Sequence, residues 1–426
     1  MRFLLASIGS NGDIHPYVGI GIALRQRGHD VALIAQPYFE RLIREAGLEY
    51  IPAGERFDLA QIAQRPEMMG SRFGTARILR DLIIPEAMNL ERAAAGAVRA
   101  SRPDAVLFHH LCFGIGWAAQ RAGVPAAIGC LSPLAFASRF DRAVFMPGGP
   151  ESRPGWRASF NLNLAKWGCR FLYDRPLNRI RRELGYEPVS DQFIREIRHS
   201  DLTLALWSAR FRPPMEDDPA AARICGFPWY DRHREQEHAS EPIERFLDSG
   251  PPPIIFTLGS TAVHVAGPFY QASAGACRIL NRRGLLLTGR PEYAPRNLPP
   301  GVAAFTYAPY SVVLPRGCAT VHHGGIGTTA QSMRAGTPTV IVPFAHDQFD
   351  NAARTRRLGL SATVSRSRVT PESLAAALRQ LLDDPDCLRR AADFGRSLSA
   401  EDGAESAADE LERLAQTGRK NQQIKN

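Results

Sequence analysis

Between Tyr307 and Asn351 the chain carries Tyr307-Ala308-Pro309, then His322-His323-Gly324-Gly325-Ile326-Gly327-Thr328-Thr329, then His346-Asp347-Gln348-Phe349-Asp350-Asn351. These residue types are suited to holding an anion. Cys318 to His322 is a short apolar run ending in a polar residue, as a buried parallel strand does on reaching the carboxyl edge of its sheet. Thr329 to Ala335 reads as helical, closed by Gly336 and Pro338. The glycines therefore fall between a strand end and a helix start, where unpaired backbone N–H groups and the helix dipole attract a diphosphate. His323 and Thr328 add side-chain donors, and the bare backbone at Gly324, Gly325 and Gly327 lets a ligand approach closely. Strand-to-helix turns also use glycine for conformational reasons alone, so the turn by itself does not fix a function.

A second constellation lies at the amino terminus. Met1 to Ile8 reads as a buried strand, followed by Gly9-Ser10-Asn11-Gly12-Asp13-Ile14-His15-Pro16, a helix to about Arg27 ended by Gly28, and a strand from Asp30 to Ala35. This is not a dinucleotide fingerprint. The glycines are spaced G-x-x-G, and Gln36 and Pro37 stand where a ribose-binding acid would be, which argues against an NAD enzyme. His15 is a base that would need no tuning. Asp13 has a structural reading as the cap of a helix starting at Ile14 or His15.

Further along, His109 and His110 end the apolar run from Asp104. Paired histidines suggest a metal, but neighbours on a strand point to opposite faces and no carboxylate partner is identified. Asp384-Pro385-Asp386 reads as a solvated turn at a helix end. No metal is expected. The phosphate charge would be met by the helix dipole, His323, and Ser260 or Thr261 beyond the strand Ile254 to Leu258.

These loops need sheets to position them. Arg2–Ser7, Asp30–Ala35, Asp104–Phe108, Ala126–Leu131 and Leu202–Leu206 are strand candidates in the first half. Ile254–Leu258, Leu285–Thr288, Ala303–Thr306, Cys318–His322 and Thr339–Val342 follow in the second. Each half reads as an α/β, doubly wound parallel sheet. A chain of 426 residues suits two such domains. The expected division is 1–228, a linker 229–250, a second domain 251–398, a helix 399–416 and a frayed polar tail 417–426. Thr370-Pro371-Glu372 is a well-formed helix start. No run of eighteen apolar residues occurs, and the seven scattered cysteines fit a reduced, cytoplasmic protein. The net charge of +9 comes without a basic arm or nucleic-acid motif, so nucleic acid is not an expected partner.

The stretch Tyr307 to Asn351 resembles the pattern W-x-P-Q, H-C-G-W-N-S, D-Q-x-x-N of family-1 glycosyltransferases, in that order. The resemblance implies that Tyr307 stacks on the nucleobase, that His323 and Thr328 bind phosphate, and that Asp347 with Gln348 grips sugar hydroxyls. Gly12-Asp13-Ile14-His15-Pro16 is similar to the family segment whose second position carries the catalytic base, which makes Asp13 the base ahead of His15. It also implies a GT-B arrangement: two Rossmann-like domains facing a cleft, acceptor on the first, nucleotide sugar on the second, and a final helix returning to the first. No cofactor is implied beyond the nucleotide-sugar co-substrate. Where relatives carry an aspartate after the strand now ending in His109 and His110, this chain has none, and these histidines are expected to line the acceptor cleft.

Gln331 stands where plant members hold both ribose hydroxyls with a glutamate. A neutral amide is a poorer acceptor for a diol, which leans the donor toward dTDP over UDP. Tyr310 replaces the family glutamine beside the base. Ser132 to Leu184, rich in aromatics such as Phe136 and in arginines, is where an apolar acceptor would be read. A basic amphipathic helix at the inner face of a membrane, or a helix pair with a solvated arginine face, are the other readings of this segment. Within the family, Phe256-Thr257-Leu258-Gly259-Ser260-Thr261 and Ala345 to Ala352 look most like the rhamnolipid rhamnosyltransferases. That implies inverting, metal-independent transfer from dTDP-rhamnose, or another dTDP-hexose, to a lipidic hydroxyl. UDP-sugar transfer to sterol- or polyketide-like acceptors is the alternative. A GT-B epimerase or a non-catalytic partner of a biosynthetic complex are readings of other classes.

Overall fold

The structure, a computed structural model, describes residues 1–54, 74–141, 167–168, 170–230 and 240–425. It contains two compact units. One comprises Met1–Asp58, Thr75–Tyr230 and Asp402–Asn426; the other contains Asp231–Glu401.

The first unit is built on seven parallel strands: β1 (Arg2–Ala6), β2 (Asp30–Ala35), β3 (Glu49–Pro52), β4 (Ala105–His109), β5 (Ala126–Cys130), β6 (Leu202–Ala205) and β7 (Ala222–Ile224). Their order across the sheet is β3-β2-β1-β4-β5-β6-β7. Leu4, Leu5, Val106, Leu107 and Ile128 are almost wholly buried, as expected for central strands covered on both faces. The chain leaves β1 toward one edge and returns at β4 to build toward the other. Their carboxyl ends therefore splay apart at a topological switch point. Ala6 pairs with Phe108 there, which brings the loop after β1 beside His109.

The second unit has six parallel strands: β8 (Ile254–Thr257), β9 (Gly284–Leu287), β10 (Val302–Phe305), β11 (Ala319–His322), β12 (Thr339–Ile341) and β13 (Ser361–Thr363). The order is β10-β9-β8-β11-β12-β13, with the switch between β8 and β11. Thr257 pairs with His322, so the loop Gly259-Ser260-Thr261 emerges beside the glycine-rich turn.

Several local expectations shift. Helix Asn11–Gln26 begins before Asp13 with Ser10 as its cap, so Asp13 is its third residue. Asp384 is the N-cap of helix Pro385–Ser399, accepting from the N–H groups of Asp386 and Cys387. Helix Pro371–Leu382 does start at the Thr370 cap. The last helix, Gly403–Lys425, continues through residues expected to fray. It packs on helix Asn11–Gln26. Arg27 pairs with Glu405 at 2.6 Å and Asp409 at 2.7 Å, and Arg419 reaches Asp104 at 2.6 Å. Among the described residues no helix is long and apolar enough to cross a membrane. Much of Ser132 to Leu184, and residues 231–239 of the linker, lie outside the described residues.

Candidate active site

In the second unit, backbone demand explains most of the glycine-rich turn. Gly324 has φ of +90°, and a Cβ there would lie 2.8 Å from Ile341 Cγ2 and 3.1 Å from the Gln348 carbonyl oxygen. Only glycine fits both the angle and the space. His322, fully buried, accepts the Gly324 N–H through Nδ1 at 2.9 Å. Asn351 donates to the Gly324 carbonyl at 2.9 Å and to Asp347 Oδ2 at 2.8 Å, joining the third motif to the second.

His323 is wedged between two glycines. A Cβ on Gly259 would lie 2.6 Å from its Cε1, and one on Gly325 would lie 2.4 Å from its Nε2. Burial lowers the His323 imidazole to about 4. At neutral pH it therefore offers a single N–H and no full charge. Its Nε2 lies over Gly325, the N-cap of helix Ile326–Arg334. Among the described residues no side chain caps this helix, which leaves its first-turn N–H groups as candidates to hold an anion. Thr328 is buried, Ser260 and Thr261 are half-buried beyond β8, and Gln331 is half-buried on the same helix.

Gly327 differs from its neighbours because, among the described residues beyond its own helix backbone, no atom lies within 4 Å of its would-be Cβ. Nothing among the described residues requires glycine there. Gly327→Ala is expected to keep or raise the melting temperature, since alanine favours a helix by about 1 kcal/mol over glycine, and to weaken nucleotide binding at least tenfold. Calorimetric titration with dTDP alongside thermal melts checks this; unchanged affinity would mean that no ligand approaches the turn at that point.

The remaining donor-half residues have defined surroundings. Tyr307 is 51% exposed. Tyr310 is anchored through its hydroxyl to Thr257 at 2.7 Å. Gln348 accepts the N–H groups of Phe344 at 2.8 Å and Ala345 at 3.0 Å through Oε1, which leaves its NH₂ as the end that can serve a ligand. His346 takes φ of +57°, a left-handed conformation uncommon outside glycine, and thereby turns the chain into Asp347. Arg366 was not singled out from the sequence. Its guanidinium donates to the Val265 carbonyl at 3.0 Å and stands 4.5 Å over the Phe344 ring, between the loops that follow β8 and β12. Ser365-Arg366-Ser367-Arg368 carries no motif, and only the fold brings this cation to the sheet edge.

In the first unit, Asp13 Oδ2 accepts from Ser10 N at 2.7 Å and Ser10 Oγ at 2.9 Å, while Ser7 Oγ donates to its carbonyl. Gly9, at φ of +128°, leaves room for this carboxylate: a Cβ there would lie 2.4 Å from Oδ2. Gln36, standing where a ribose-binding acid would be, accepts the Gly9 N–H at 2.9 Å and so holds the loop. Asp13 Oδ1 lies 3.9 Å from His109 Nε2. His15 is half-buried with its ring edge-on to Tyr230, centroids 5.1 Å apart.

The two adjacent histidines do not point to opposite faces. Their ring centroids are 4.3 Å apart because β4 ends at His109 and strand alternation ends with it. Burial pushes His109 down to about 3 and His110 well below the ordinary value. His110 Nδ1 is buried with no hydrogen-bond partner among the described residues. Phe136 is 1% exposed and packs edge-on against Trp207 at 4.9 Å, which makes it part of the core. The structure thus gathers Asp13 with His109 and His110 at one switch point, and Ser260 and Thr261 with His323 and the glycine turn at the other.

Known proteins share this plan. Residues 3–101 match the glycosyltransferase family 28 N-terminal domain, and residues 287–414 match the erythromycin biosynthesis protein CIII-like C-terminal domain. The chain is 32% identical over 446 residues to O-mycaminosyltylonolide 6-deoxyallosyltransferase of Streptomyces fradiae, covering 98% of each. Among solved structures, the glycosyltransferase of kitacinnamycin superposes with a TM-score of 0.76 at 22% identity, over 97% of this chain and 99% of that one. The glycosyltransferase VinC, solved in complex with dTDP, superposes with a TM-score of 0.69 at 20% identity, over 98% of this chain and all of the other. With two parallel-sheet domains and 32% identity to a member over 98% of both chains, the chain belongs to the GT-B glycosyltransferases of the family-1 and family-28 type.

Proposed function

We propose that this glycosyltransferase moves a dTDP-linked hexose, rhamnose or another 6-deoxy sugar, with inversion and without a metal, to a hydroxyl of an apolar or lipidic acceptor. The observation that carries the donor side is the turn from His323 to Thr328 at the β8/β11 switch point, open to an anion and flanked by exposed Tyr307. In this reading the diphosphate lies against the helix start, His323, Thr328 and Ser260 or Thr261, and the base stacks on Tyr307. Asp347 and the free NH₂ end of Gln348 hold the sugar. Asp13 accepts the acceptor proton, with His15 as the second candidate, and His110 lines the acceptor side.

Two observations support dTDP. Gln331 takes the place of a diol-binding carboxylate. A protein of the same fold has been solved with dTDP. A relative that covers 98% of the chain is named a 6-deoxyallosyltransferase, which supports a 6-deoxy sugar. Lipid as acceptor, and residence at the inner face of a membrane, are supported by the resemblance to rhamnolipid enzymes and by the aromatic and arginine-rich composition of Ser132 to Leu184. Thermal shift tests the donor assignment, because a ligand at one hundred times its Kd stabilises by about 2.7 kcal/mol. The shift with dTDP is expected at lower concentration than with UDP. Equal shifts would remove the nucleotide preference, and no shift with either would remove the donor site.

A further inference from the structure

Asp13 and His109 approach each other at the first switch point, and the chemistry of the pair is set by which nitrogen of His109 carries the proton. The Leu111 N–H donates to His109 Nδ1 at 3.3 Å, so Nδ1 is unprotonated and the neutral ring carries its hydrogen on Nε2. His109 is 1% exposed, and burial keeps it neutral. A neutral ring makes no ion pair with the Asp13 carboxylate. Nε2 faces Asp13 Oδ1 across 3.9 Å, too far for a direct hydrogen bond. That separation suits one oxygen between them. An oxygen about 2.8 Å from both atoms subtends roughly 90° to them, within reach of a hydroxyl that donates to one and accepts from the other. Meanwhile Ser10 holds Oδ2 by two hydrogen bonds, which fixes the carboxylate with Oδ1 toward His109.

We propose that His109 is a second catalytic residue: its Nε2–H donates to the acceptor hydroxyl whose proton Asp13 Oδ1 removes, so that the nucleophile is gripped between the two. This rests on the reading of Asp13 as base. As the hydroxyl oxygen bonds to the anomeric carbon, its proton passes to Asp13 Oδ1. The anomeric bond to the nucleotide breaks, and its electron pair leaves on the diphosphate. His109 neither gains nor loses a proton; it directs the oxygen's remaining lone pair and holds its hydrogen on the base. The division of labour differs from a histidine base oriented by an acid, because here the acid takes the proton and the histidine touches the acceptor.

The experiment combines rates with dTDP-rhamnose and 1-octanol as probe alcohol with ¹⁵N NMR of histidine-labelled protein. His109→Phe keeps the ring volume and removes the N–H. It is expected to lower kcat/KM for octanol about 10²-fold, the scale for losing one oriented donor, with the KM for donor and the melting temperature little changed. His109→Gln, which restores an N–H, should recover part of the loss. Asp13→Asn with His109→Phe should be no slower than Asp13→Asn alone, since both grip one hydroxyl. The NMR spectrum of the wild type at pH 7 should show His109 neutral with its hydrogen on Nε2. A charged ring or an Nδ1–H tautomer overturns the proposal, whether or not octanol is turned over. So does a His109→Phe enzyme within twofold of wild type while Asp13→Asn is dead. If instead Asp13→Asn stays active, the reading of Asp13 as base fails first.

Discussion

Asp13→Asn is expected to lower turnover by roughly 10²- to 10⁴-fold, the range for losing a general base, while leaving the fold and donor binding intact. The separation of these effects follows from the two oxygens of Asp13. Oδ2 caps the helix start through Ser10 N and Oγ, and the amide oxygen of asparagine can accept the same two bonds. Loss of the negative charge from the first turn weakens its dipole interaction by about 0.3–1 kcal/mol, a small change for a two-domain protein. The other position becomes an NH₂, which cannot accept a proton. Steady-state rates with dTDP-rhamnose and an alcohol probe, next to a dTDP melting series, check both halves. Turnover near wild type in folded, dTDP-binding protein would move the base elsewhere, with His15 next.

Acid is expected to destabilise the protein well before most of its carboxylates titrate. His109 and His323 are held neutral by burial at about 3 and about 4, against an ordinary 6.5, and His110 and His322 are displaced in the same direction. Below pH 6.5 the unfolded chain takes up protons that the folded chain refuses. Stability is thus fully present above pH 6.5 and is lost as pH falls toward the folded values. At pH 5, His109 and His323 each remove about 2 kcal/mol, and the loss continues to about pH 4 or below. Domains commonly hold only about 5–15 kcal/mol in total, so the two histidines alone matter. Urea unfolding at pH 8, 6.5 and 5 measures the effect, and equal stabilities at pH 8 and 5 would contradict it. Because His323 lies in the second unit and His109 in the first, both units should weaken together.

The ten strands placed from the sequence all form, within a residue or so at each end, because each is a mainly apolar run; most are buried, and β10, at a sheet edge, is half-buried throughout. Three more, β3, β7 and β13, escaped notice. They are three or four residues long and all stand at sheet edges, and Glu49, Pro52 and Arg223 break the apolar pattern. Helix Asn11–Gln26 begins earlier than its apolar face because Ser10 and Asp13 together satisfy its first turn. The last helix outruns its apolar residues because Arg419 finds Asp104, a partner distant in the chain. Phe136 illustrates the opposite difficulty: an aromatic in a plausible acceptor segment turned out to fill the core against Trp207.

The order of motifs from Tyr307 to Asn351, with Gly12-Asp13, was enough to identify a nucleotide-sugar enzyme, because strand ends, helix starts and glycine spacing are local properties that a sequence carries directly. What local pattern cannot carry is which loops share an edge. The sheets decide that. The β1/β4 switch sets His109 3.9 Å from Asp13 across 96 residues of chain, and the β8/β11 switch wraps His323 between Gly259 and Gly325. Burial then fixes what the sequence leaves open, since each of these imidazoles would titrate near 6.5 in water and stays neutral well below that pH because the packed sheet edge has removed its solvent.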